Sequence, residues 1–131
     1  MPRDKDDILK FYEEFCSRGG WDRLEAMRTF LPTLFRERSL DGCSLFTSHE
    51  ALCITRYPTY EERCGKPLLS INCSTKDRLH FEFRVEQERE PVYRAITESS
   101  NCPLDLGLVE FDRLYTKFLE AHNKRPSGSE V

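Results

Sequence analysis

The stretch Leu79–Glu86 reads Leu79-His80-Phe81-Glu82-Phe83-Arg84-Val85-Glu86, with apolar residues at every odd position and polar ones at every even position. Successive side chains of an extended chain point to opposite faces, so this alternation predicts a β-strand buried on one side only. Its polar row of His80, Glu82, Arg84 and Glu86 is too charged to be buried cheaply. That row predicts a sheet with one face at least partly in water.

Working upstream, Leu69, Ile71 and Cys73 alternate with Ser70 and Asn72 in the same way. The link Ser74-Thr75-Lys76-Asp77 is short and polar, so the two runs are expected to form a hairpin. A further strand is expected over Leu52–Tyr57, where Ile54 and Thr55 favour extended backbone. Thr47-x-x-Glu50 also fits a capping box, which leaves a short helix as the alternative there. Cys43–Phe46 offers a short fifth strand. Downstream, another strand is expected over Val92–Glu98, after a turn at Glu88–Pro91. Short links force antiparallel neighbours, so the sheet reads mainly as a meander.

Both ends of the chain read as helices. Ile8, Phe11, Tyr12 and Phe15 make one apolar face of a helix expected over Lys5–Arg18. Asp4, Asp6 and Asp7 suit its start, and Gly19-Gly20 suits its end. Trp21, Leu24, Met27 and Leu31 continue at helical spacing into a second helix. Pro32 is expected to kink or stop it near Leu31, with Thr33–Arg38 resuming as a short turn. Asp41-Gly42 marks a turn. The last helix is expected over Asp105–Asn123, where Leu108, Phe111, Leu114, Tyr115, Phe118 and Leu119 form a broad apolar face. Pro103 is tolerated ahead of it.

The fold class that follows is α+β. An antiparallel sheet of four to five strands is packed on one face by two N-terminal helices and one C-terminal helix. At 131 residues the chain suits one domain, read as residues 1–125, with 126–131 as a polar, flexible tail.

Composition narrows the function classes. Lys and Arg number 20 against 23 Asp and Glu, mixed along the chain, for a formal net charge of −3. No basic stretch dominates, so nucleic acid is not an expected partner. The apolar runs fall far short of the roughly 20 residues needed to cross a bilayer. The charged N-terminus lacks the apolar core of a secretory signal, so a cytoplasmic location is expected. In a reducing compartment Cys16, Cys43, Cys53, Cys64, Cys73 and Cys102 are expected to be free thiols. No C-x-x-C pair occurs, and the three histidines have no ligand-like spacing, so neither a metal nor another cofactor is expected.

Two groups of residues stand out as candidates for binding. The first is the loop Tyr57–Pro67, which carries Tyr57, Tyr60, Arg63 and Cys64. Arg63 and Lys66 flank Cys64, and nearby positive charge stabilises a thiolate. The plainer reading is an exposed loop with an unreactive thiol. The second is the strand face bearing His80, Glu82 and Arg84. A His beside a carboxylate suits acid–base work; the plainer reading is a solvated face with ion pairs. Cys73 shares parity with Leu69 and Ile71 and is expected to be a buried small hydrophobe.

No G-x-S-x-G elbow, P-loop or dinucleotide fingerprint is present. The reading favoured is a small non-enzymatic binding or protein-interaction module, whose ligand is a protein or a small molecule. The alternatives are a cysteine-dependent enzyme or redox-responsive protein using Cys64, and a homodimeric structural or adaptor protein.

Overall fold

The computed structural model describes residues 4–19, 22–57, 59, 66–87 and 93–123, with backbone alone at 86, 87, 93–97, 122 and 123. The elements run α1 (Lys5–Ser17), a 3-10 turn (Asp22–Leu24), α2 (Glu25–Glu37), β1 (Ser44–Ser48), β2 (Ala51–Thr55), β3 (Leu68–Thr75), β4 (Arg78–Gln87), β5 (Tyr93–Pro103), a second 3-10 turn (Leu104–Leu106) and α3 (Gly107–Asn123). The strands form one five-stranded antiparallel meander in the order β1-β2-β3-β4-β5. The three helices pack on one face of it, giving an α+β fold. Among the described residues no helix is long and apolar enough to cross a membrane.

The alternation in β4 places its residues as the sequence requires. Leu79, Phe81 and Phe83 are buried under the helices, and their partners Cys73, Ile71 and Leu69 on β3 are buried with them. Phe30 of α2 meets Phe81 edge to face, with ring centroids 6.3 Å apart. Phe111, Leu114 and Phe118 of α3 complete this core, spaced at helical intervals on one stripe. Fully burying each such side chain contributes about 1.5–3 kcal/mol, which is why the sheet and helices form together.

The ends of α1 follow local chemistry. The Asp4 carboxylate accepts from the Asp7 backbone N–H at 2.8 Å, satisfying one orphan donor. Gly19, at φ +75°, turns the chain out in the left-handed region.

Four local expectations differ from the structure. Helix α2 does not stop at Leu31 but runs through Pro32 to Glu37. Pro32 is exposed, so the Arg28 carbonyl that loses its donor lies on the wet side, while burial of Leu31 and Leu34 holds the helix on both sides of the proline. Thr47 and Glu50 do not cap a helix. Thr47 lies in β1 and pairs with Leu52, and His49-Glu50 is a two-residue hairpin turn with His49 at φ +56°. Strand β5 extends past Glu98 to Pro103, because pairing with β4 from Arg78 to Gln87 outweighs the weak β-propensity of Ser99, Ser100 and Asn101. The last helix begins at Gly107, with Asp105 in the 3-10 turn before it. The tail expected at 126–131 lies outside the described residues.

Candidate functional site

Cross-strand partners share a face, so the register defines what stands on the side away from the helices. One line of partners crosses all five strands: Phe46, Cys53, Ser70, Glu82 and Ser99. A neighbouring line joins Asn72, His80 and Asn101, and Leu68 pairs with Arg84. The helix-free face therefore has two parts. On β1–β3, Phe46, Cys53 and Leu68 form a second, small buried apolar cluster. On β3–β5 the face is polar.

Glu82 organises the polar part. Its Oε2 lies 3.1 Å from His80 Nε2, and its Oε1 accepts from Arg84 Nε at 3.1 Å and from a second Arg84 nitrogen. His80 Nδ1 lies 3.2 Å from Asn101 Oδ1 on the adjacent strand. Residues two apart on a strand share a face, so His80, Glu82 and Arg84 meet along β4 itself, and only Asn101 joins from across. The Glu82 side chain retains 21% of its exposure, against 29% for His80 and 35% for Arg84. Burial pushes the Glu82 pKa up, but the hydrogen bonds from Arg84 and His80 outweigh it and hold the carboxyl below its ordinary range. Glu82 is thus an anion fixed between two donors.

Among the described residues no nucleophilic side chain bonds to His80, and the side chains opposite Glu82 are Ser70 and Ser99. No group of three His, Cys, Asp or Glu side chains among the described residues stands ready to hold a metal ion.

Of the residues singled out in the sequence, His80, Glu82 and Arg84 are brought together. Tyr57 lies beyond the end of β2, half-buried, with Lys66 Nζ 5.6 Å from its ring centroid. Its backbone N–H donates to Thr55 Oγ1 at 3.3 Å. Lys66 precedes Leu68, the partner of Arg84, so Tyr57 and Lys66 stand at the Arg84 end of the row. Tyr60, Arg63 and Cys64 lie outside the described residues. Asn101 was not singled out in the sequence. It sits in the part of β5 that reads as loop, and the only signal for it would have been a longer hairpin register.

The remaining thiols sit in different settings. Cys73 is buried between sheet and helices, and that burial pushes its thiol up to about 11 against the opposing pull of Arg23. Burial likewise raises Cys102 and Cys16. Cys43 Sγ lies 3.3 Å from the Tyr115 hydroxyl, beside a cavity of about 450 Å³ between the start of α1 and the Leu40–Leu45 segment. Burial, followed by the Cys43 contact, raises the Tyr115 pKa, so this hydroxyl keeps its proton beside the thiol.

Comparison with known proteins returned no matching family model, no similar curated protein and no similar solved structure.

Proposed function

We propose that this chain is a non-enzymatic binding module that meets a protein partner on the β3–β5 part of the helix-free sheet face. The observation that carries the reading is the pre-ordered row Arg84–Glu82–His80–Asn101, half-buried and mutually hydrogen-bonded on a sheet face that the helices leave uncovered. Binding loses free energy whenever rotamer-rich side chains must be frozen, at about 0.5–1.5 kcal/mol each. Arg84 and Glu82 are held already, so that loss is small here. Arg is also enriched at interface hot spots, and Ser70, Asn72 and Ser99 add neutral donors and acceptors around the row. Charge balance fits a polar, reversible contact better than an obligate one.

The test is a nitrogen-15 amide spectrum recorded against a small set of probes: N-methylacetamide, acetate, methylguanidinium and short neutral peptides. Shift changes that gather at Ser70, Asn72, His80, Glu82, Ser99 and Asn101, and vanish in Arg84→Ala, are the expected result. Probes that gather instead at the cavity beside Cys43, or that bind Arg84→Ala equally well, would overturn the assignment.

A further inference from the structure

Both ring nitrogens of His80 meet an oxygen that can only accept. Nε2 lies 3.1 Å from Glu82 Oε2, and Nδ1 lies 3.2 Å from Asn101 Oδ1. The hydrogen bonds that hold the Glu82 carboxyl below its ordinary range keep it ionised, so Oε2 has no proton to give. An amide carbonyl has none either. A neutral imidazole carries one N–H and satisfies one of these acceptors; an imidazolium carries two and satisfies both. The observed arrangement is therefore that of a charged His80.

Loss of one proton disturbs one side of the ring more than the other. The bond to the Glu82 carboxylate is charge-assisted and the stronger of the two, so Nε2 keeps its hydrogen and Nδ1 becomes an acceptor. Nδ1 and Asn101 Oδ1 then face each other as two acceptors. The relief is local, because Asn101 is exposed and the last torsion of an asparagine is roughly two-fold. A half-turn of the amide brings its NH2 group to Nδ1 and sends its carbonyl outward. Among the described residues the Asn101 side chain makes no other hydrogen bond that would resist the turn.

We propose that the charge on His80 selects what this face binds: charged, it holds Asn101 with the NH2 group outward and adds a cation, which suits a carboxylate of the protein partner; neutral, it turns the Asn101 carbonyl outward and withdraws the cation. The inference rests on the binding reading above and adds control by pH to it. The surroundings leave His80 to decide. The other described charges that alternation sets on this side of β4 are Arg78, Glu82 and Arg84. Both arginines stay protonated and Glu82 stays ionised over about pH 5–8, where histidine changes charge. The facing side chains of β3 and β5, Ser70, Asn72 and Ser99, are neutral, and the helices lie on the other face.

Long-range proton–nitrogen spectra of the free chain from about pH 5 to about pH 8 follow both ring nitrogens. Nδ1 is expected to lose its proton while Nε2 keeps it, and the Asn101 side-chain amide signals to move with the same midpoint. Asn101→Asp, which can only accept, should hold the Nδ1 proton to higher pH. Acetate is then expected to bind the face about tenfold more tightly at the acid end than at the other, the worth of one hydrogen bond to a charged group, with methylguanidinium showing the opposite preference. An Asn101 amide that ignores His80, or acetate bound to the face equally well at both ends, would overturn the inference and leave the binding reading standing. Probes that gather on another surface while Asn101 still follows His80 would overturn the binding reading and support the proton-coupled turn.

Discussion

Gly107→Ala sets two known effects against each other, and the structure decides between them. Gly107 has φ −59° and ψ −43°, ordinary right-handed helix, so alanine there carries no backbone strain. On propensity alone the change would stabilise the start of α3 by up to about 1 kcal/mol. Space argues the other way. A Cβ would lie 2.5 Å and 2.9 Å from two atoms of the Phe30 ring and 2.7 Å from Leu79 Cδ1. Neither side chain has an easy escape: Phe30 is 4% exposed and in edge-to-face contact with Phe81, and Leu79 is fully buried on β4. Forcing a methyl into a packed core costs about 1–3 kcal/mol. Net destabilisation of about 0.5–2 kcal/mol follows from the difference. With a urea slope of about 1–3 kcal/mol per molar, the midpoint should fall measurably with the slope unchanged. The cause is tested by trimming the obstacle. In a Phe30→Leu background, Gly107→Ala should cost less than in the wild type, a coupling read from the double-mutant cycle. A variant as stable as the wild type, or a cycle with no coupling, would refute the packing argument.

Two other measurements probe the sheet. Glu82 titrates below its ordinary value when folded, so it binds fewer protons folded than unfolded, and its contribution is full above the ordinary carboxylate range. That contribution is lost as the pH falls below about 5 and through the folded-state pKa. The stability advantage of the wild type over Glu82→Gln in urea melts should therefore shrink from pH 6 to pH 3, and a constant gap would contradict the ion-pair geometry. Glu98 and Asp112 are lowered too, by Lys117 and Arg113 and by Arg38 respectively, so some acid sensitivity should survive in the variant. For Cys73, a thiol pushed up to about 11 holds about two to three orders of magnitude less thiolate at pH 8 than a free cysteine near 8.5. Peptide mapping after iodoacetamide treatment should find Cys73 modified only in urea, and labelling in buffer at the free-cysteine rate would show that the core is not closed over it.

The fold was legible where one periodicity settled the matter. Leu79–Val85 could bury Phe81 and Phe83 only by turning Glu82 and Arg84 to the other side, and the hairpin partner Leu69–Cys73 shared the same parity, so β3 and β4 emerged together. The misreadings share a cause. Pro32 and Ser99–Asn101 have local preferences worth about a few kcal/mol or less, and neighbours distant in sequence override them: the core beneath Leu31 and Leu34, and the ladder offered by β4. Thr47-x-x-Glu50 failed for the same reason, since pairing of Thr47 with Leu52 forms a hairpin that a capping box cannot foresee.

The site was legible to a lesser depth, and the reason is geometric. Parity says which side a residue faces, but not which residue stands beside it on the next strand. His80, Glu82 and Arg84 could be grouped because they are neighbours along one strand. Asn101, 21 positions away from His80, required the full β4–β5 register, including the irregularity at Phe83/Arg84 that shifts it. The same limit hid the contrast between the two parts of the face. Phe46 and Cys53 stand in line with Glu82, yet three strand pairings separate Phe46 from Glu82. Whether a polar strand face is merely wet or is an ordered row beside an apolar cluster is therefore a property of register. In this chain alternation along β4 places one anion between two donors, and register, by pairing Leu68 with Arg84, sets that group at the border of the apolar cluster.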